Sequence, residues 1–295
     1  MKWFTATNGA SLENDHFFDQ LRVAVISARH NTSLEPYMLY DGEYNERTRW
    51  LQKHGVYIIR HKLPIRTAIE EYVRINATSD LIPVRTGAYL RSEIPVAISR
   101  EGIRDNYILY TDCDVVFLRD PSLQSYKPSY FAACGSREGG YTRFHLGGWM
   151  HYNSGVMIMN VSKMSECYAA FQEFVLRNGE GVWRPNAKFW RKHLFMSDQL
   201  ALNLFYRGKI TRLDVKYNWR PSLGINSDAF ILHFNGLKWT QWDDFVSGAL
   251  SPYRQAKFEK LVSRNRLAYE YYSNLAASFL SLSTTTHQSR VVCGG

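Results

Sequence analysis

The stretch Tyr107-Ile108-Leu109-Tyr110-Thr111-Asp112-Cys113-Asp114-Val115-Val116-Phe117 decides the fold class of this chain. Apolar, β-branched and aromatic residues follow one another almost without interruption, which is typical of a strand buried on both faces of a parallel or mixed α/β sheet. Two aspartates, one residue apart, break this run. Aspartates in ordinary loops seldom interrupt an apolar run so abruptly, so the pair predicts a functional site at a strand end.

Asp112 and Asp114 form a pair of carboxylates that a bound cation would stabilise. Two carboxylates at the end of a buried strand repel each other and resist desolvation. The spacing lets both side chains reach one hard ion such as Mg²⁺ or Mn²⁺, which is often shared with the phosphates of a substrate. Open α/β sheets bind ligands beyond the carboxyl ends of their strands, so the sequence predicts a metal site there.

The Asp-x-Asp motif alone leaves other interpretations open. A loop could contain two aspartates by chance. A phosphatase of the haloacid dehalogenase type also has Asp-x-Asp-x-Val after an apolar strand, with the first aspartate as nucleophile. That class has its pair on the first strand of the domain, whereas here three predicted strands precede it and Asp243-Asp244 is a poor match to the later acidic motif.

The composition describes a basic, folded protein. Of the 295 residues, 45% are hydrophobic and 15% aromatic, which excludes a disordered chain. The net charge of +9 favours an anionic partner such as a nucleotide diphosphate or a membrane surface. Nucleic acid ranks lowest, because no nucleic-acid-binding motif accompanies the charge. The four cysteines form no CxxC pair, so neither a disulfide framework nor a zinc site is predicted.

The chain has no stretch of eighteen uncharged apolar residues and lacks the basic-then-apolar pattern of a signal peptide at its start. We therefore predict a cytoplasmic protein.

Alternating strands and helices make up the first half of the chain. Strand, helix, strand, helix and strand follow within the first sixty residues, the pattern of βαβ units. The predicted strands cover 2–8, 34–40, 56–60, 107–117, 130–134, 152–160 and part of 229–238. The predicted helices cover 16–29, 45–53, 86–99, 162–176 and a segment that Ser197 caps. The fold class is therefore α/β, with a mixed sheet flanked by helices.

Several short motifs in this order resemble the retaining glycosyltransferases of the glycogenin and lipopolysaccharide galactosyltransferase type, glycosyltransferase family eight. The resemblance covers about residues 2–245. It rests on Phe4-Thr5-Ala6-Thr7-Asn8, Arg91, Asp112-Cys113-Asp114, Asn153-Ser154-Gly155-Val156, Asp198-Gln199 and His233-Phe234-Asn235-Gly236-Leu237-Lys238. It implies a Rossmann-like GT-A fold, a UDP-sugar donor and Mn²⁺ or Mg²⁺.

The resemblance also implies roles for individual residues. Three of them would hold the metal: Asp112, Asp114 and His233. The donor would contact Thr5, Thr7, Asn8, Arg91, Asp112, Cys113, Gly236 and Lys238. The transferred sugar would be surrounded by Asn153, Asp198 and Gln199. The acceptor would be a hydroxyl of a glycan or of a lipid-linked molecule. A non-catalytic nucleotide-sugar-binding protein is the remaining alternative, which an intact metal triad disfavours.

Three positions depart from the family's pattern or bear on its mechanism. The family's usual ending is His-x-x-Gly-x-x-Lys-Pro-Trp. In this chain one residue fewer separates Gly236 from Lys238, and Trp239-Thr240 follow in place of Pro-Trp. Thr7 occupies a position where many relatives have aspartate. Gln199 matches the family's disputed nucleophile and is a poor nucleophile, which favours transfer on one face of the sugar over a double displacement through a carboxylate.

Residues 1–250 form the predicted catalytic domain, followed by a basic amphipathic helix over 251–281 and a disordered tail over 282–295. The helix has one apolar face, made of Phe258, Leu261, Val262, Tyr272, Leu275 and Phe279. That face would either pack on the protein's own domain, as in most amphipathic helices, or rest on the inner face of an anionic membrane near a lipid-linked acceptor.

Overall fold

The computed structural model describes residues 1–135, 151–181 and 193–285. The strands are β1 (Lys2–Asn8), β2 (Glu35–Asp41), β3 (Tyr57–Arg60), β4 (Tyr107–Thr111), β5 (Val115–Phe117), β6 (Phe131–Gly135), β7 (Tyr152–Asn160), β8 (Thr211–Arg212) and β9 (Ile231–His233). Seven of them form a mixed sheet in the order β3-β2-β1-β4-β7-β6-β8, and β5 pairs with β9 in a second, two-stranded sheet. The predicted α/β class is confirmed.

The α-helices are α1 (Gly9–Leu12), α2 (Asp15–Asn31), α3 (Glu46–Lys53), α4 (Arg66–Asn76), α5 (Leu81–Tyr89), α6 (Ile94–Arg100), α7 (Val161–Glu166), α8 (Tyr168–Asn178), α9 (Asp198–Phe205), α10 (Trp242–Ser247), α11 (Pro252–Val262) and α12 (Arg266–Thr285). Short 3₁₀ helices cover Leu90–Glu93, Leu194–Met196, Val215–Asn218, Pro221–Leu223 and Trp239–Gln241. The predicted helices at 16–29 and 45–53 are confirmed, with side-chain caps from Asn14 and Asn45.

The central sheet is buried on both faces. The strands β3, β2, β1 and β4 are parallel to one another, whereas β7 runs antiparallel to β4 and β6. Neighbouring residues of one strand point to opposite faces. Accordingly, Phe4 joins the hydrophobic cluster on one side of the sheet and Trp3 joins the cluster on the other side. Burial on both faces explains why these strands have continuous apolar runs.

The apolar run over residues 107–117 is divided between the two sheets. Its first half is β4 in the large sheet, and its second half is β5 in the small sheet. The chain leaves the large sheet between Thr111 and Val115, so the two aspartates lie at a corner rather than inside one long strand. Pattern alone could not show this change, because both halves are buried and apolar.

The helix predicted over 86–99 is three shorter segments. Helix α5 ends at Tyr89, the 3₁₀ helix Leu90–Glu93 follows, and α6 begins at Ile94. Pro95 occupies the first turn of α6, where its missing N–H costs nothing, so the regular helix restarts there. All four residues of the 3₁₀ segment are buried, and Arg91 therefore points into the protein.

The C-terminal region contains two helices instead of the single predicted one. A break after Val262 separates α11 from α12. The residues of the predicted apolar face all pack on the rest of the protein, namely Phe258, Leu261, Val262, Tyr272, Leu275 and Phe279. Helix α12 packs along α2. In the structure, the apolar face therefore packs on the protein's own domain, which was one of the two predicted alternatives.

The predicted disordered tail begins inside α12, which continues to Thr285, and the remaining residues 286–295 lie outside the described residues. Among the described residues, none of the helices combines the length and the apolar character that crossing a membrane requires.

Candidate metal and active site

The Asp-x-Asp pair lies at the corner between β4 and β5, at the carboxyl end of a central strand. Since β5 pairs with β9, Val115 lies opposite His233. The backbone N–H of Phe234 also donates to the carbonyl oxygen of Asp114 at 3.0 Å. The small second sheet therefore brings a histidine from far along the chain to the two aspartates.

The three predicted metal ligands come together. One ligand atom from each of Asp112, Asp114 and His233 lies within 4.8 Å of the others. Nε2 of His233 is 3.3 Å from Oδ1 of Asp114 and 3.8 Å from Oδ2 of Asp112. Neighbouring ligands of an octahedral ion with bonds of about 2.1 Å are roughly 3 Å apart, so only a small movement would bring all three to one ion. The residues fit a divalent metal.

The imidazole ring of His233 is fixed by contacts on two sides. Nδ1 lies 2.9 Å from Oδ1 of Asn218, so Nε2 is the nitrogen that faces the carboxylates. A Cβ at position 155 would lie only 2.2 Å from Cε1 of this ring and 2.9 Å from Oδ2 of Asp112. Two predicted metal ligands, His233 and Asp112, therefore closely approach the backbone at Gly155.

Lys238 lies against one of the predicted metal ligands. Its Nζ donates to Oδ2 of Asp114 and to the carbonyl oxygen of Phe234, the latter at 2.9 Å. Burial disfavours the charged form of Asp114, but Lys238 and His233 outweigh it and hold the pKa of Asp114 well below its usual value. In this structure the ammonium group predicted to meet the diphosphate of the donor lies at Asp114.

Arg91 lies buried between two carboxylates. One terminal nitrogen is 3.0 Å from Oδ1 of Asp112, and Nε is 2.9 Å from Oδ2 of Asp198. The other terminal nitrogen donates to the carbonyl oxygen of Ser154 at 2.8 Å. Burial alone would lower the pKa of Arg91, but Asp112 and Asp198 raise it well above its usual value. Arg91 is a fixed positive charge that joins Asp198 to the candidate metal cluster, which consists of Asp112, Asp114 and His233.

Asp198 has an incomplete set of hydrogen bonds. The Nε hydrogen of Arg91 points to the carbonyl oxygen of Ala88, 2.9 Å away, rather than to Asp198. Within residues 1–135, 151–181 and 193–285, Oδ2 of Asp198 accepts no hydrogen bond, although the atom is buried. Burial raises the pKa of Asp198 despite the neighbouring charge of Arg91. A hydroxyl group of a ligand would supply the missing donor.

Gln199 and Asn153 lie beside this carboxylate and are joined to each other. Oε1 of Gln199 accepts from Nδ2 of Asn153 at 3.1 Å and from the backbone N–H of Ser154 at 3.0 Å. Within the described part of the chain, no hydrogen bond from the amide nitrogen of Gln199 to another residue is found. Gln199 therefore presents a donor, not an acceptor, to any ligand in front of it.

Four of the residues predicted to contact the donor are all buried: Thr5, Thr7, Asn8 and Cys113. Oγ1 of Thr5 lies 3.1 Å from Sγ of Cys113, and burial raises the pKa of this thiol to about 12. Nδ2 of Asn8 donates to the carbonyl oxygen of Pro83 in α5 at 2.7 Å. A base that contacted Asn8 would have to replace these bonds to α5.

Gly236, predicted to meet the diphosphate, follows β9 with a φ of +115°. A Cβ there would lie 2.7 Å from Leu261 of α11. The positive φ favours glycine here, whereas the Leu261 side chain could shift to make room for a Cβ.

Two residues that contact Asp112 or His233 were not predicted from the sequence. Asn218 holds His233 and is reached only through folding, so no local pattern could reveal it. Tyr110 donates its hydroxyl hydrogen to Oδ1 of Asp112 at 2.8 Å. Tyr110 lies two positions before Asp112 and so on the same side of an extended chain, a signal that was available.

Solved structures with a similar fold are glycosyltransferases. Galactosyltransferase LgtC, in complex with donor and acceptor sugar analogs, matches 85% of this chain and 96% of its own length, with a TM-score of 0.54 and 17% identity. Glycosyltransferase GlyE of Streptococcus pneumoniae TIGR4 has a TM-score of 0.53 and 19% identity, and the match covers 93% of this chain and 64% of GlyE. This chain therefore has the GT-A fold of these proteins.

A bifunctional glycosyltransferase, WbbM, is a third structure with this fold, at a TM-score of 0.53 and 13% identity over 90% of this chain and 51% of WbbM. No protein-family model matches the chain, and no curated protein matches it significantly by sequence.

Proposed function

We propose that this protein is a metal-dependent glycosyltransferase that moves a hexose or pentose from a UDP-sugar to a hydroxyl group of a glycan or lipid-linked acceptor. The observation that carries the proposal is the joint placement of Asp112, Asp114 and His233 beside Asp198. The GT-A fold adds to it, because LgtC with this fold binds donor and acceptor sugar analogs.

The metal cluster is the proposed site of the diphosphate. Asp112, Asp114 and His233 would hold Mn²⁺ or Mg²⁺, which when bound supplies Lewis-acid stabilisation to a departing UDP. Lys238 adds a fixed positive charge at the same place, since its ammonium group already lies at Asp114. Breaking the anomeric carbon–oxygen bond builds negative charge on UDP, and these groups would stabilise that charge.

Asp198 is the proposed contact to the transferred sugar. Its buried Oδ2 has no donor among the described residues, and a sugar hydroxyl would complete it. The carboxylate also favours the positive charge that develops on the sugar as the bond to UDP breaks. Arg91 holds this side chain at a fixed distance from Asp112, and so fixes the separation of sugar and diphosphate.

The orientation of Gln199 supports transfer with retention on one face of the sugar. Its oxygen is already used by Asn153 and by the backbone of Ser154, so it is unavailable as a nucleophile. Its amide nitrogen would donate to the sugar or to the acceptor. In this mechanism the proton of the acceptor hydroxyl passes to the departing phosphate, and no covalent sugar–enzyme intermediate forms.

Turnover of a panel of UDP-sugars tests the proposal. UDP release would be measured with purified protein, with Mn²⁺ or with EDTA, for wild type and Asp114→Ala. The matched control is Asp243→Asn, which changes an exposed carboxylate of α10. We expect metal-dependent release from one donor in wild type and in the control, and none in Asp114→Ala. Release that EDTA and Asp114→Ala leave unchanged would contradict the proposal.

A further inference from the structure

Asn218 is a buried amide whose two ends both make hydrogen bonds. The residue ends the 3₁₀ helix Val215–Asn218 and is 1% exposed. Its Oδ1 lies 2.9 Å from Nδ1 of His233, and its Nδ2 donates to Oδ1 of Asn153 at 2.8 Å. A side chain fixed at both ends inside the protein has one orientation, provided that the donors and acceptors around it are themselves fixed.

The backbone fixes the direction of this hydrogen-bond chain. The N–H of Gly155 donates to Oδ1 of Asn153 at 3.1 Å, and a backbone N–H can only donate. The N–H of Ser154 donates to Oε1 of Gln199, to which Nδ2 of Asn153 also donates. Both ends of the Asn153 amide are thereby assigned, and its oxygen must face Asn218.

The assignment at Asn153 determines the protonation of His233. Because Oδ1 of Asn153 is an acceptor, Asn218 must turn its amide nitrogen towards it and its oxygen towards His233. Nδ1 of His233 then carries a hydrogen, and Nε2 is the ring nitrogen that faces Asp112 and Asp114. A metal ion binds a ring nitrogen that has no hydrogen, so Nε2 is the nitrogen that a metal would bind, in place of any proton there.

We propose that Asn218 is a positioning residue that holds His233 in the Nδ1–H tautomer and aims Nε2 at the metal. This inference rests on the proposed function in one respect, which is that Asp112, Asp114 and His233 bind a metal ion. The hydrogen on Nδ1 itself is a property of the metal-free protein. The backbone N–H of Gly155 fixes it through two asparagine side chains, and no metal is needed.

Variants of Asn218 separate positioning from mere packing. Asn218→Ala removes the acceptor of Nδ1–H, and we expect the Kd for Mn²⁺ to rise about 10–100-fold. Asn218→Asp keeps the acceptor for Nδ1–H but loses the donor to Asn153, and we expect its Kd to lie between those of wild type and Asn218→Ala. Binding would be measured by calorimetry without donor sugar, with His233→Ala as the reference for loss of the ligand. Thermal denaturation would establish that each variant is folded.

The ¹⁵N chemical shifts of the His233 ring provide a readout without metal or substrate. We expect hydrogen on Nδ1 in the metal-free wild type and in Asn218→Asp, and loss of that preference in Asn218→Ala. Absence of hydrogen from Nδ1 in the wild type would overturn the inference, whether or not any variant folds. Wild-type affinity for Mn²⁺ in a folded Asn218→Ala would overturn it as well.

The two failures can be told apart. Absence of Mn²⁺-dependent UDP binding in the wild type, with hydrogen on Nδ1 as expected, would contradict the proposed function and leave the inference intact.

Discussion

The imidazole of His233 lies directly against the backbone of Gly155, in the space that a side chain at position 155 would occupy. An added Cβ would lie 2.2 Å from Cε1 of His233, far inside van der Waals contact. Gly155 belongs to β7 in the middle of the large sheet, whereas His233 ends β9 in the small sheet. The absence of one methyl group therefore allows the two sheets to build a common site.

Gly155→Ala should displace His233 and weaken metal binding. Because strand β7 is fixed by neighbours on both sides, the ring rather than the strand is expected to move. We expect the Kd for Mn²⁺ to rise about tenfold or more, by calorimetry on folded protein. The control is Gly9→Ala, whose Cβ would meet other atoms at 3.4 Å or more. Equal affinities in the two variants would contradict the expectation.

Lys238→Met should change metal binding and nucleotide binding in opposite directions. In the metal-free protein the ammonium group of Lys238 lies on Oδ2 of Asp114 and neutralises it. Without Lys238, we expect Mn²⁺ alone to bind more tightly, and UDP in the presence of Mn²⁺ to bind about tenfold more weakly. Calorimetric titrations measure both, with Lys257→Met on α11 as control. A variant in which both affinities fall together would indicate general damage to the site.

Asp198→Asn should stabilise the protein by an amount that depends on pH. Burial raises the pKa of Asp198 in the folded state above the unfolded value of about 3.9. The folded protein therefore holds the extra proton, and ionising Asp198 costs stability as the pH rises from the unfolded to the folded pKa. The asparagine variant avoids this cost.

Urea unfolding of Asp198→Asn and wild type at several pH values from 4 to 8 measures the effect. The stability difference in favour of the variant should grow from pH 4 upward and then become constant. A difference that is independent of pH throughout, like that of the exposed control Asp243→Asn, would show that burial of Asp198 does not determine its ionisation.

Phe258→Ala tests whether the C-terminal helices belong to the folded domain. Phe258 of α11 is 5% exposed and packs in a cluster with Trp242 and Phe245. Its truncation should cost about 3–5 kcal/mol of unfolding free energy, by urea denaturation. Tyr253→Ala, at a position 77% exposed on the same helix, should cost less than about 0.5 kcal/mol. Equal effects would favour a helix that leaves the domain.

The sequence predicted the fold class because the class depends on local patterns. The apolar runs before Asp112 and before His233 could be recognised as strands that end at these residues. The resemblance to a glycosyltransferase family implied that Asp112, Asp114 and His233 would lie together, and one ligand atom from each lies within 4.8 Å of the others. Their role as metal ligands stays a prediction.

Features that depend on long-range contacts were not predicted. The transfer of β5 to a second sheet, the contact of Lys238 with Asp114 and the hydrogen bond of Asn218 to His233 all join segments far apart in the chain. The 3₁₀ segment that turns Arg91 inward was hidden in a continuous helical pattern, although Pro95 marked the break.

The role of the metal cluster in nucleotide binding is the central claim, and calorimetric titration of UDP into the protein tests it most directly. The titration would be run with Mn²⁺, with EDTA and with Asp114→Ala. We predict binding of UDP in the presence of Mn²⁺, and loss of that binding both in EDTA and in the variant. UDP binding of equal strength in all three samples, or no binding in any, would contradict the account.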